Sequence, residues 1–191
     1  ISNLVDKYLI LDKKLFTEKL KEYNMSDSLI NHHYKQLEKI GLMPLYSTNK
    51  KLPIISRMAG FVLTDGALNV YNKKHGGWTP QCQFNFGCLY SAKLFEDDVD
   101  KLKIRTVKII EQNRLIKRKN KKPYRLHTWK VGHNGCFPSL LIALDISTGN
   151  KTETPFKPVP NWIMNGSKLV KREFLAGFQG GDGCKINHYT N

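Results

Sequence analysis

The chain has 191 residues, 40% of them apolar, which suffices for the packed core of one domain or of one domain with a small companion. No apolar stretch approaches the roughly 20 residues of a membrane-spanning helix, so an integral helical membrane protein is excluded. Thirty-one Lys and Arg against 16 Asp and Glu leave a formal charge of +15, which points to a polyanionic partner such as DNA, RNA or an acidic surface.

From Asp12 to Tyr23, Phe16, Leu20 and Tyr23 recur at helical spacing and predict a helix. Ser26 or Ser28 can cap a second helix through Ile40, with Ile30, Leu37 and Ile40 inward, Gly41 as its stop and Pro44 beyond. The pair is either a helix-turn-helix that offers His32, Lys35, Gln36 and Lys39 to a groove, or a helical hairpin with a solvated basic face. Pro53 suits the first position of a helix through Asp65, ended by Gly66. Ala67 to Asn72 and Gln81 to Tyr90 are strand-like around the turn-rich KKHGGWTP, and Gln81, Gln83 and Asn85 alternate with Cys82, Phe84 and Phe86. A helix with acidic residues near its start is expected from about Ser91 to Lys103. A strand near Thr106 to Asn113, the basic loop RLIKRKNKK and a strand near Tyr124 to Val131 form a second hairpin. Pro138 opens a helical run through Ile146, GNKTETPFKPVP has linker composition, and Trp162 to Gly183 reads as a short helix followed by a longer one.

Four cysteines, Cys82, Cys88, Cys136 and Cys184, form no CxxC pair, so neither a zinc ribbon nor a disulfide framework is indicated, and reduced thiols in an intracellular compartment are expected. The start at Ile1 and the lack of a leader pattern make the chain read as a segment of something longer.

The most informative feature is an internal echo: MAGFVLTDG at 58–66 and LAGFQGGDG at 175–183 share A-G-F and a final D-G. Ala59, Gly60, Ala176, Gly177, Gly180 and Gly181 allow two helices to meet backbone to backbone. Each segment then places an aspartate at a helix C-terminus, where the macrodipole disfavours a carboxylate. If the helices pair, Asp65 and Asp182 converge, and a divalent cation would offset their repulsion. Oxygen ligands near phosphate suit Mg²⁺, which can activate water and stabilise the leaving oxygen of a phosphodiester.

The two segments resemble the signature helices of the LAGLIDADG, or dodecapeptide, homing endonucleases, and the lead-in VPNWIMNGSKLVKREF resembles the usual approach to the second. The resemblance covers about Pro53 to Gly183. It implies an α+β fold of αββαββα halves whose motif helices form the interface between halves and whose antiparallel sheets make a saddle over DNA. The expected division is a helical segment at 1–50, a first half at 53–150, a linker at 151–161, and at 162–191 the second motif helix with the start of a truncated second half. The missing sheet would come from further C-terminal sequence or from another chain.

The resemblance also implies that Asp65 and Asp182 are the metal-binding catalytic carboxylates, with Lys93 and Lys130 as candidates for an auxiliary basic residue near the scissile phosphate. Strand parity places Asn69, Tyr71 and Lys73 on one face with Gln81, Gln83 and Asn85, as candidates for reading base edges. In the second hairpin the same reasoning favours Arg125, His127 and Trp129 over Tyr124, Leu126 and Thr128, although a one-residue slip in register would exchange the sets. Lys117, Arg118, Lys119, Lys121 and Lys122 suit phosphates, or form a solvated charge run. His33, His75, His133 and His188 have no acid partner at catalytic spacing and are read as structural or surface residues.

The function expected is a metal-dependent, site-specific double-strand DNA endonuclease of an intron or intein. The alternatives are an RNA-splicing maturase or non-cleaving DNA-binding regulator on the same fold, the maturase with structured intron RNA as partner, and the endonuclease portion of a self-splicing intein.

Overall fold

The side chain of Asp12 accepts a hydrogen bond from the Leu15 amide at 2.8 Å and so starts α1 (Lys13–Lys21); Ser26 caps α2 (Asp27–Lys39) through the Leu29 amide. These elements come from a computed structural model that describes residues 7–73, 77–104, 108–117, 122–149 and 158–182. Two short strands that the sequence did not signal, β1 (Leu9–Leu11) and β2 (Leu45–Tyr46), pair antiparallel around the helical hairpin. Gly41, at φ 73°, ends α2 in the left-handed conformation that favours glycine.

Next comes α3 (Leu52–Leu63), with Pro53 in its first turn. It stops two residues before the expected end, because the Gly66 amide turns back to the Phe61 carbonyl at 2.8 Å and the Thr64 hydroxyl donates to the Gly60 carbonyl. Asp65 therefore stands in the turn beyond the helix and is exposed.

The sheet has the order β3-β4-β6-β5 and is antiparallel throughout, built from β3 (Ala67–Lys73), β4 (Gly77–Phe86), β5 (Ile109–Ile116) and β6 (Tyr124–Asn134). Between the hairpins lies α4 (Leu89–Lys101), and α5 (Cys136–Ala143) follows them. From α3 to α5 the order is αββαββα, an α+β arrangement with an antiparallel sheet, as expected.

Several boundaries differ from the expectation. β4 begins at Gly77 and ends at Phe86, so Trp78 to Pro80 are strand rather than turn; Pro80 is tolerated because there β4 has only β3 beside it, pairing with β6 starting at Gln81. The acids of α4, Glu96, Asp97, Asp98 and Asp100, lie in its second half. β5 runs three residues later than expected, and α5 starts two residues before Pro138, which falls in the first turn where a missing amide costs nothing.

One apolar cluster extends from Leu11 and Phe16 through Phe84, Phe95 and Phe137 to Val170 and Phe174, so the N-terminal hairpin shares its core with the sheet. α1 and α2 rest on α5, where Lys19 pairs with Asp145 at 2.6 Å and the His33 Nδ1 lies 2.7 Å from the Ser139 Oγ. After α6 (Asn161–Met164), tied down by the Trp162 indole donating to the Leu144 carbonyl at 3.0 Å, α7 (Lys168–Asp182) lies against α3. Among the described residues no helix is long and apolar enough to cross a membrane.

Candidate active site and nucleic-acid interface

The echo segments meet where their small residues allow it. A β-carbon at Gly60 would meet the Phe174 carbonyl oxygen and come 2.6 Å from the Phe178 nitrogen; one at Gly177 would strike the Arg57 carbonyl, and one at Gly180 would lie 2.9 Å from the Phe61 ring. The Ser56 hydroxyl donates to the Val170 carbonyl at 2.9 Å in the same interface. Contacts therefore run from Ser56 with Val170 to Phe61 with Gly180, numbers rising together, which means that α3 and α7 are parallel and their C-terminal ends lie at one end of the pair. Asp65 and Gly180 line one cleft of about 480 Å³ there, with Asn85, Ser91 and Lys101. Asp182 is the last residue of α7, and its side chain lies outside the described residues.

An ion network that the sequence does not signal borders this cleft, which Arg57 and Asp98 line. Arg57 donates from Nε to the Asp98 Oδ2 at 2.8 Å, from one terminal nitrogen to the Asp98 Oδ1 at 2.6 Å, and from the other to the Glu173 Oε2 at 2.6 Å. One guanidinium thus joins α3, α4 and α7. Hydrogen bonding to Asp98 is the main cause that raises its pKa further, so it is charged throughout. The only hint in sequence was a charged residue inside the mostly apolar LPIISRMAGFVL.

On the sheet, Asn69 pairs with Gln81, Ala67 with Gln83 and Tyr71 with Thr79, so Asn69, Tyr71, Gln81, Gln83 and Asn85 share the face turned away from the helices, while Cys82, Phe84 and Phe86 are buried on the other. Lys73 ends β3; nothing of its side chain is described.

The second hairpin has the opposite parity to that expected. Asn85 pairs with Lys130 and Phe86 with Trp129, so Lys130, Thr128, Leu126 and Tyr124 continue the amide face, and Arg125, His127 and Trp129 lie on the face of the helices. The alternation that reveals an inward face is absent here: Tyr124 to His127 extend past the helix layer and are all exposed. On that face His127 meets Glu111 at 2.6 Å and tilts against Trp129. From β5 the amide face gains Ile110, Gln112 and Arg114.

Of the two lysines expected as candidates for the auxiliary basic residue, Lys130 pairs with Asn85, which lines the cleft, whereas Lys93 is exposed on α4 and does not line it; Lys101, 3.8 Å from Asp98, does. Lys117 and Lys122 are exposed at the strand ends of the basic loop, and Arg118, Lys119 and Lys121 lie outside the described residues. So do His75 and His188; His33 and His133 are buried, the latter edge-on to Phe137. Burial pushes the Cys82 thiol up and the Cys136 thiol up to about 11, which keeps both unreactive. Among the described residues no group of three His, Cys, Asp or Glu converges on a common point.

No family model matches the chain. By sequence it is 28% identical over 159 residues to a replication factor C small subunit of Methanocaldococcus jannaschii, covering 83% of this chain and 8% of that protein. It is 30% identical over 164 residues to the tRNA-splicing ligase RtcB of the same organism, covering 82% of this chain and 16% of the ligase, and equally to that of Pyrococcus furiosus, covering 80% and 15%. The chain thus spans less than a fifth of the length of each of these relatives. Among solved structures, it is similar to the homing endonuclease I-WcaI bound to its DNA recognition sequence, with TM-score 0.44, 17% identity, and 90% of this chain and 65% of that chain covered. It is also similar to I-DmoI in complex with DNA and Mn, with TM-score 0.42, 11% identity, and 69% and 63% covered.

Proposed function

We propose that the chain is the catalytic part of a divalent-metal-dependent double-strand DNA endonuclease of the LAGLIDADG type, carried within an intein. The observation that carries the reading is the parallel, backbone-to-backbone pairing of α3 and α7, which brings the ends of two like motifs, each closing on Asp-Gly, to one cleft beside an open sheet face. In this reading Asp65 and Asp182 hold Mg²⁺. Their hard oxygens suit it, and the exposed position of Asp65 at a helix end leaves its carboxylate available. The bound ion would supply an activated water and stabilise the leaving oxygen. Gln81, Gln83, Asn69, Thr128 and Lys130 present donors and acceptors to base edges, while the surrounding lysines meet phosphates.

Two further observations support the reading. Leu169, Leu175 and Phe178 of α7, exposed at 44%, 56% and 37%, stand 117 positions after Leu52, Met58 and Phe61 of α3, which face the core. The repeat thus calls for a second sheet on α7, from further sequence or another chain, and 162–191 begins that half. Segments similar to this chain also occur as small parts of proteins whose names share no activity, as an element inserted into unrelated hosts would.

The test uses Asp65→Asn and Asp182→Asn in the full-length protein, with a duplex library carrying a randomised window and Mg²⁺. Loss of double-strand cleavage with retained DNA binding is expected. Full cleavage by either variant would remove that aspartate from the mechanism, and a wild-type protein that prefers structured RNA would favour the maturase.

A further inference from the structure

We propose that the groove between α2 and the C-terminal end of α4 is a phosphate-binding flank that carries duplex DNA beyond the edge of the sheet. This rests on the reading of the amide face as a DNA surface and extends it to an element outside the echo segments. The groove, of about 640 Å³, is lined by His32, Gln36 and Lys39 of α2, by Lys103, and by Thr79 of β4. Thr79 lies on the face of Gln81 and Gln83, so the groove borders that face at Thr79, while His133, on the helix side of the sheet, lines it further in. His32, Gln36 and Lys39 fall four and three residues apart on one side of α2, all exposed, with the His32 and Gln36 side chains 3.0 Å apart. No carboxylate is among the described residues lining the groove.

Lys51 sets the width of this groove. Its ammonium donates to the Ile40 carbonyl at 2.7 Å and to the Leu102 carbonyl at 3.1 Å, which joins the last turns of α2 and α4 and fixes Lys39 and Lys103 on facing walls. Two cationic side chains are thus held by a third across a groove with no carboxylate among its described lining, an arrangement that suits a polyanion and opposes itself without one.

Lys103 supplies an independent observation. It follows α4 at φ 61°, with the Ile104 amide bonded back to the Val99 carbonyl at 3.2 Å and Ile104 buried. This is the helix-stop position where glycine is favoured and a β-carbon is a burden. Lys103 places charge at the groove where local stability prefers no side chain.

The experiment measures binding of the full chain to random-sequence duplex DNA by fluorescence anisotropy across a salt series, with Lys39→Gln/Lys103→Gln beside the wild type. Both side chains are exposed, so circular dichroism should show an intact fold. The slope of log K against log salt should fall by about 2, at about 0.9 per lost phosphate contact. Lys103→Gly alone should raise the thermal midpoint while weakening DNA binding. A wild-type slope retained by the double variant would overturn the flank and leave the sheet reading intact; a wild-type chain with no affinity for duplex DNA would overturn both.

Discussion

The guanidinium of Arg57 grips the carboxylate of Asp98 at two points, 2.8 and 2.6 Å, and Asp98 is only 4% exposed. Removing one member of such a pair strands the other's charge in a poorly solvated place, which costs about 3–5 kcal/mol at full burial and less at the half-buried Arg57. Asp98→Ala should therefore lower unfolding stability by about 2–4 kcal/mol in urea titrations. A loss below about 1 kcal/mol would show that Glu173 alone holds Arg57.

The glycines of α7 should rank by what faces them. Gly177 abuts the Arg57 backbone, which cannot move without shifting α3, whereas Gly180 faces the edge of the Phe61 ring, a side chain at the rim of the cleft. Gly177→Ala should cost about 2–3 kcal/mol, as overpacking does, and Gly180→Ala less than about 1 kcal/mol. Equal costs in thermal or urea unfolding would contradict the close backbone crossing.

Acid should weaken the junction of the helical hairpin with α5. Burial, and secondarily the charge of His32, lower the His33 pKa from 6.5 to about 4. Between those values the unfolded chain binds the proton and the folded chain does not, so stability is complete above pH 6.5 and falls as pH drops toward 4. A shift of this size amounts to about 3 kcal/mol. His33→Gln should flatten this part of the stability profile, and an unchanged profile would place the acid sensitivity elsewhere.

The register separates the two faces of the sheet by experiment. Gln83→Ala and Thr128→Ala should relax base preference at individual positions of a selected target, by about 1–3 kcal/mol each if the side chain makes a good base contact. His127→Ala, on the opposite face, should leave the selected sequence unchanged. Reversed results would mean that DNA approaches the helix-covered side.

Much of the element order was legible because it depends on local signals: the helical spacing of Phe16 and Leu20 for α1, and, within the αββαββα unit, the alternation from Gln81 to Phe86 and Gly66 as a stop. The helix pairing was legible too, since only small residues such as Gly60 and Gly177 permit it. What escaped needed distant partners. Arg57 shows its role only when Asp98 and Glu173 arrive from elements 41 and 116 residues away. The parity of β6 escaped because exposure on both faces from Tyr124 to His127 erases the pattern that burial would impose. Pro80 suggested a turn, because a sequence cannot tell that β6 ends opposite Gln81 and leaves Pro80 beside β3 alone. The charges of α2 look alike in a groove and in open solvent, and the Lys51 bridge that makes the difference is again a long-range contact.

The crossing of α3 and α7 also bears on the order in which the molecule assembles. Gly60 and Gly177 are 117 positions apart, and the whole four-stranded sheet lies between them in the chain. Closing a loop of that length costs on the order of 4 kcal/mol in chain entropy beyond a constant, before the contact returns anything. The sheet with α4 and α5 can form first, through shorter loops, so α7 docks late and is the first element to leave. Hydrogen exchange should find its amides opening at lower free energy than those of β4 or α5. A cation or duplex bound across the two helix ends would then act as a latch, slowing exchange in α7 more than anywhere else in the chain.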